Sequence, residues 1–189
     1  SLTNPIMKMA DGTLIMTIET NKHYLDTSQW FQRVVGLHSR DNGQTWSDPV
    51  NIGFDPTGRI FNWDLRSASS PDNKIGSFAW TFNTETESYL KIHRRISLDS
   101  GQNWSPAEDI GITDQPGHPA VLTDGKTVLP WVDRFNTHSI RARLAPSIDG
   151  LFDPNSEVVL YSHPTSTDDP KGALGFSVWT FGLPYAEPL

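Results

Sequence analysis

Two short motifs recur along this chain at nearly equal spacing and in step with one another, and that regularity limits the fold more than any other feature. The first is an Asp-Gly or Asp-Asn turn followed by an apolar-rich strand: MADGTLIM at 9–16, SPDNKIGSFAW at 70–80 and LTDGKTVLPW at 122–131. Its aspartates, Asp11, Asp72 and Asp124, stand 61 and 52 residues apart. Asp-Gly between apolar runs marks a tight hairpin, because a type I′ turn needs positive φ. The second motif is SRDNGQTW at 39–46 and SLDSGQNW at 97–104, with SIDGLFD at 147–153 as a worn third copy in which Phe152 stands near the tryptophan position. Its aspartates, Asp41, Asp99 and Asp149, are 58 and 50 residues apart. Self-similarity at a fixed period is the signature of a repeat architecture.

Each period holds four strand-like runs. They are 4–9, 13–20, 32–40 and 48–53 in the first, and 64–70, 75–83, 89–98 and 107–111 in the second. In the third they are 117–123, 127–133, 138–146 and 157–161. No segment sustains an apolar period of 3.6, so the fold class is all-β. Four antiparallel strands in every period describe a blade of a β-propeller. A sandwich would also give many short strands, but not two markers in phase. The expected blades are about 1–53, 54–111 and 112–162, with the start of a fourth at 163–189.

Composition narrows the function classes. Fourteen Gly and fourteen Pro are scattered as single breakers rather than gathered in a linker, which suits short strands joined by tight turns. Seven Trp and nine Phe argue against disorder. The formal net charge of −7, with basic residues isolated apart from Arg94-Arg95, would repel phosphate backbones and speaks against nucleic acid as a partner. No stretch approaches the roughly 18 apolar residues of a membrane helix, so no membrane partner is expected. The absence of cysteine excludes disulfides and thiolate chemistry without settling the compartment. The six His share no ligand spacing, so neither metal nor cofactor is expected. The chain opens SLTNPIMKMADG, already strand-like, with no signal peptide in view.

The pattern S-x-D-x-G-x-x-W resembles the Asp-box, or BNR repeat, of sialidases and related propellers, and the order of strands and turns is similar to sialidase blades along essentially the whole chain. The resemblance implies a six-bladed parent, a site in the central funnel and glycoside hydrolysis. It also implies that Asp41 and Asp99 are structural, on turns of the outer rim, where an Asp side chain accepts hydrogen bonds from turn N–H groups. One signature departs: the family's Arg-Ile-Pro before the first turn reads Thr3-Asn4-Pro5-Ile6 here. Of the three arginines the family sets around a sialic acid carboxylate, Arg66 and Arg134 are the nominees. Because sialidases use a Tyr nucleophile, Tyr185 is a candidate. Three blades and one strand cannot close a ring, so the expectation is a part of a longer propeller, or a homodimer in which two halves complete one.

Strand alternation places the site. The second-to-third strand loops (19–31, 82–89, 133–138) and the inter-blade loops (53–64, 111–118, 162–182) must share the face opposite the turns, and long loops on a rigid scaffold carry function. The catalytic candidates there are Glu19, Asp64, Asp133 and Tyr185, since carboxylates do acid–base work on glycosides. The substrate-binding candidates are His23, Trp63, Arg66, His118, Arg134, His138 and Trp179, Arg being suited to bidentate clamping and rings to stacking on sugars. Each has a plainer reading: Arg66 could pair with Asp64, Asp133-Arg134 could be a loop pair, the histidines could be surface or capping residues, and the tryptophans packing. Three functions stay open: a sialidase-like glycoside hydrolase acting on acidic or neutral glycans, a non-catalytic propeller module binding glycan or protein, and an inactive fragment. A carbohydrate partner would suggest an extracellular or periplasmic setting.

Overall fold

The computed structural model describes residues 4–162 and 183–188. Three antiparallel sheets follow one another along the chain. The first consists of β1 (Met7–Lys8), β2 (Leu14–Glu19), β3 (Arg33–Ser39) and β4 (Val50–Phe54), paired in that order. The second holds β5 (Ile60–Ser69), β6 (Ile75–Asn83), the two-residue β7 (Ser88–Tyr89), β8 (Lys91–Ser97) and β9 (Glu108–Thr113), with β6 paired to β5, β7 and β8. In the third, β10 (Gln115–Pro116) and β11 (Ala120–Val121) both pair with β12 (Thr127–Asp133), followed by β13 (Ser139–Ala145) and β14 (Val158–Ser162). A meander of four strands runs through each sheet, as a propeller blade requires, with β7 beside it in the second and β10 and β11 sharing the innermost place in the third.

The tight turns are built by their own side chains. Asp11 Oδ1 accepts from Thr13 N at 2.9 Å and Asp124 Oδ1 from Lys126 N at 3.0 Å. Gly12 and Gly125 supply φ of +86° and +85°. The strands match the alternation of the sequence closely, with three informative differences. The first strand of the second sheet begins at Ile60 rather than 64, because Asp55 closes the preceding loop by accepting from Thr57, Arg59 and Ile60 backbone N–H groups. It also bulges between Trp63 and Arg66. The innermost strand of the third sheet is split, since Pro116 and Pro119 have no N–H to give to the ladder and His118 N donates to Pro184 O at 2.9 Å instead of to β12.

The core lies between the sheets. Phe78, Ile92 and Ile112 of the second sheet pack against Leu129, Trp131, Ala145 and Phe152 of the third. Phe152 is 5.9 Å from Phe78, edge to face, so the worn third motif still delivers an aromatic ring to the core. Between the first and second sheets, Met7, Met9 and Ile15 meet Ile75, and Val34 and Ile52 meet Leu65 and Ala79; Trp104 packs on both groups. Each fully buried Val, Leu, Ile, Phe or Met among them contributes about 1.5–3 kcal/mol.

The S-x-D-x-G-x-x-W turns fasten one sheet to the sheet before it. Asp99 accepts from Ser97 Oγ (2.8 Å), Gln102 N (3.1 Å), Asn103 N (2.9 Å) and Asn103 Nδ2 (2.7 Å). The turn so shaped lays Ser100 O 3.1 Å from His38 Nε2 in the first sheet. Gly101, at φ +84°, comes so close that a Cβ there would stand 3.0 Å from the same Nε2. The third copy does likewise to the second sheet: Arg94 donates to the carbonyls of Ile148 (3.2 Å), Asp149 (3.2 Å) and Gly150 (2.6 Å) while pairing with Glu108 at 2.7 Å.

Candidate functional site

At the opposite end of the sheets, polar side chains from all three meet. β2 alternates so that Ile15, Thr17 and Glu19 share its buried face, which carries Glu19 inward at the strand's last position, 4% exposed. The bulge in β5 puts Asp64 at φ +46°, and its backbone N–H donates to Glu19 Oε2 at 3.3 Å. Asp64 Oδ2 accepts from Gln115 Nε2 at 2.6 Å, and Gln115 Oε1 accepts from Arg134 Nε just beyond β12. Asp114 completes the line: its Oδ2 accepts the backbone N–H groups of Arg134 and, at 3.2 Å, of Phe135. A continuous chain of hydrogen bonds thus runs Glu19–Asp64–Gln115–Arg134–Asp114 across the three sheets.

Two of these carboxyls are abnormally weak acids. Glu19 is pushed up to about 7, first by burial and then by the neighbouring charge of Asp64, against the opposing N–H of Asp64. Asp114 is also pushed up to about 7 by burial, its two backbone donors and the charge of Arg134 only partly compensating. It is 3% exposed, and Oδ1 has no hydrogen-bond partner among the described residues. Asp64 and Asp114 both hold left-handed backbone, Asp114 at φ +79°. Such conformations in non-glycine residues are costly and gather at functional sites. Arg66 resumes strand pairing after the bulge; desolvation lowers its pKa while Asp64 and Glu19 oppose that change.

An aromatic group borders the cluster. Tyr89 stacks on Trp80 at 4.1 Å and 8°, with Phe135 5.5 Å from Tyr89. The Arg134 guanidinium lies 6.0 Å from the Trp80 ring centre. Burial raises the Tyr89 hydroxyl, and the charges of Asp114 and Asp64 add to it.

Of the residues nominated from sequence, Glu19, Asp64, Arg66 and Arg134 come together. Trp63 stands beside them in an aromatic trio, edge to face with Trp30 (5.2 Å) and Phe61 (5.5 Å). His118 lies where the innermost strands meet: Nδ1 is 3.1 Å from Asn4 Oδ1, which also accepts from Ser67 N at 2.8 Å. Its ring lies 4.2 Å from that of Tyr185 at an angle of 8°, and burial, then Arg66, push its pKa down to about 4. Tyr185 is therefore a stacking partner of His118. Asp133 is engaged as a turn cap, accepting from Asn136 N (3.1 Å), Asn136 Nδ2 (3.1 Å) and Thr137 Oγ1 (2.8 Å). His138 takes a left-handed turn position at φ +48°, and His23 is exposed against Tyr24 at 4.6 Å. Trp179 lies outside the described residues.

Asp114, Gln115, Trp80 and Tyr89 were not among the nominees. Asp114 had a signal: it follows Asp64 by 50 residues, the interval from Asp99 to Asp149. Trp80 had one too, since it stands eight residues after Asp72 just as Glu19 stands eight after Asp11.

No protein-family model matches the sequence, and no curated protein does. Solved structures do. A protein of unknown function from Dyadobacter fermentans aligns with a TM-score of 0.68 and 19% identity over 86% of this chain and 42% of its own. A Hadza microbial sialidase aligns at 0.63 and 16% identity, covering 78% of this chain and 35% of its own. The α-L-arabinanase of Penicillium chrysogenum, solved with arabinobiose, aligns at 0.56 and 17% identity, covering 82% of this chain and 49% of its own. The chain spans less than half the length of each of these three structures, and at such identities the likeness establishes a shared β-propeller fold.

Proposed function

We propose that the residues gathered at this end of the sheets act on a glycan, with Glu19 as proton donor to the departing glycosidic oxygen. Asp64 is the carboxylate that faces the positive charge developing at the anomeric carbon. The observation that supports this reading is the state of Glu19: a carboxyl titrating near 7 beside a second carboxylate holds a proton to give at neutral pH. As the C–O bond breaks, the proton moves from Glu19 to the leaving oxygen. Water then adds its oxygen to the anomeric carbon, and its surplus proton returns to Glu19. Arg66 and Arg134 orient sugar oxygens from either side of Asp64. That a sialidase and an arabinanase share the fold supports a carbohydrate ligand.

The test is a panel of fluorogenic 4-methylumbelliferyl glycosides, sialoside and arabinoside included. Glu19→Gln is expected to lower kcat by about 10²–10⁴-fold on a disaccharide such as arabinobiose, whose alcohol leaving group needs a proton, and less on the umbelliferyl glycosides, whose leaving group does not. Turnover of the disaccharide that survives the substitution would refute the assignment. Sugar binding without any turnover by the unaltered chain would favour a binding module instead.

A further inference from the structure

The first and third sheets each turn one face away from the second, and the repeat itself shows what such faces take. Counted from the turn aspartates, Ile15 and its equivalent Gly76 stand four residues on, and Thr17 and Phe78 six. These places point forward: Ile15 meets Ile75 of the second sheet, and Phe78 meets the third. Ile75 and Ala79, then Leu129 and Trp131, hold the odd places and pack backward on the sheet before. Five residues ahead of Ser39 and Ser97, Val34 and Ile92 also pack forward. The third sheet carries Val128, Pro130 and Ala142 at its forward places, and with Leu144, Val158 and Leu160 they line a depression of about 510 Å³. Val158 and Leu160 are 51% and 59% exposed. At the backward places of the first sheet stand Leu14, Met16 and Ile18, all half-buried. Among the described residues no sheet covers either face.

A fastener is spare as well. Trp104, seven residues after Ser97, packs on the core groups between the first and second sheets. Trp46 holds the same place after Ser39, is half-buried, and has no sheet in front of it among the described residues. One open face is thus the forward half, and the other the backward half, of an interface that the chain builds twice internally. A repeat that cannot bury its apolar face alone is covered by the next repeat. We infer that the third sheet's open face receives the first sheet of a second copy of this chain, so that two copies close a ring through two equal head-to-tail contacts. Contact between unlike faces is heterologous, and it closes when the rotation it imposes returns to the start. The chain spans 42% and 49% of two solved relatives of the same fold, so two copies supply about the length of one of them. Trp46 of the second copy meets the face that carries Ala142, as Trp104 meets the face that carries Val34. A tryptophan so placed carries a large share of an interface's energy.

The experiment is light scattering behind a size-exclusion column, at micromolar concentration and pH 7. The unaltered chain should run with the mass of two copies. Met16→Glu charges the backward face and Leu144→Glu the forward one, and each variant alone should run as a monomer. Mixed in equal amounts they should recover a two-chain species, because the Met16 variant keeps a sound third sheet and the Leu144 variant a sound first sheet. That recovery would also show both variants to be folded. Trp46→Ala, on a surface turn, should weaken the association tenfold or more. A monomeric unaltered chain would overturn the inference, whatever the variants do. A dimer indifferent to Trp46→Ala, or one that Met16→Glu leaves whole, would overturn the head-to-tail contact. Species larger than two copies would overturn the closed ring.

Discussion

The two ends of the same three sheets use the same residue type in opposite ways. At the S-x-D-x-G-x-x-W end, Asp41 and Asp99 are surrounded by donors from their own turns. Thr45 side chain and backbone, then Ser39, bring Asp41 down to about 2. For Asp99 the opposing push of burial is outweighed by donors from Asn103, Ser97 and Gln102 together, and the pKa falls. At the other end, burial outweighs the donors that reach Glu19 and Asp114, and both rise to about 7. Aspartates held by turn donors shape turns that fasten sheets together; carboxyls raised by burial are left able to exchange protons near neutral pH. The difference separates structure from chemistry within a single residue type, and it can be tested from both sides.

The largest effect is expected where one sheet is fastened to the next. Arg94 is 3% exposed and holds three carbonyls of the 148–150 turn together with Glu108. Arg94→Ala leaves the turn's carbonyls without their donor, at about 1–3 kcal/mol for each buried one left unsatisfied, while Glu108, 47% exposed, turns to water. Chemical denaturation should show that loss, or an early transition of the third sheet alone. A change below about 1 kcal/mol would break the view that these turns act as fasteners.

The next effect has the opposite sign at the two ends. Glu19 and Asp114 bind protons more tightly folded than unfolded, so stability falls as pH rises from their ordinary values near 4 to about 7, and levels off above. Asp41 binds its proton less tightly folded, so its contribution is present above about 4 and is lost as pH falls toward 2. His118, held down at about 4, opposes the two carboxyls between about pH 4 and 6.5, so the decline is shallow there and steepest close to pH 7. Glu19→Gln with Asp114→Asn should remove the decline on the alkaline side, a gain on the order of 1–3 kcal/mol per site at pH 8, and leave the acid side unchanged. A double variant no more stable than the unaltered chain at pH 8 would contradict the burial of these carboxyls.

Much of this division could be read from the sequence, and the parts that could not share a cause. Strand periodicity and turn chemistry are local, so the three turn aspartates and most strand bounds were within reach. Glu19, Asp64, Arg66 and Arg134 were accessible because alternation and loop position aim them at one end. Asp114 was obscured because Pro116 and Pro119 break the innermost strand that would have announced it, placing the expected strand start at 117, just beyond it. Arg94 gave no local sign at all, reading only as half of a basic pair. Its carbonyl partners lie more than fifty residues further along, and only the packing of two sheets brings them together. Tyr89 sat in an expected strand, 89–98, whereas β7 pulls it aside into a ring stack.

The smallest effect sharpens what makes a fastening effective. The turn held by Arg94 is also reached by Lys74, 3.3 Å from Asp149 and 3.4 Å from Asp72. Both cations bridge the second sheet to the same turn, and on a count of contacts to charged groups Lys74 has more. Its side chain, however, is 33% exposed against 3% for Arg94. Its two carboxylates keep water as an alternative partner, and an ion pair in that setting contributes little. Lys74→Ala should therefore move the denaturation midpoint barely at all, and less still in 0.5 M salt, while Arg94→Ala stays costly in both. Equal losses from the two substitutions would mean that charge fastens the sheets. The expected inequality assigns that work to buried hydrogen bonds between Arg94 and the turn's backbone.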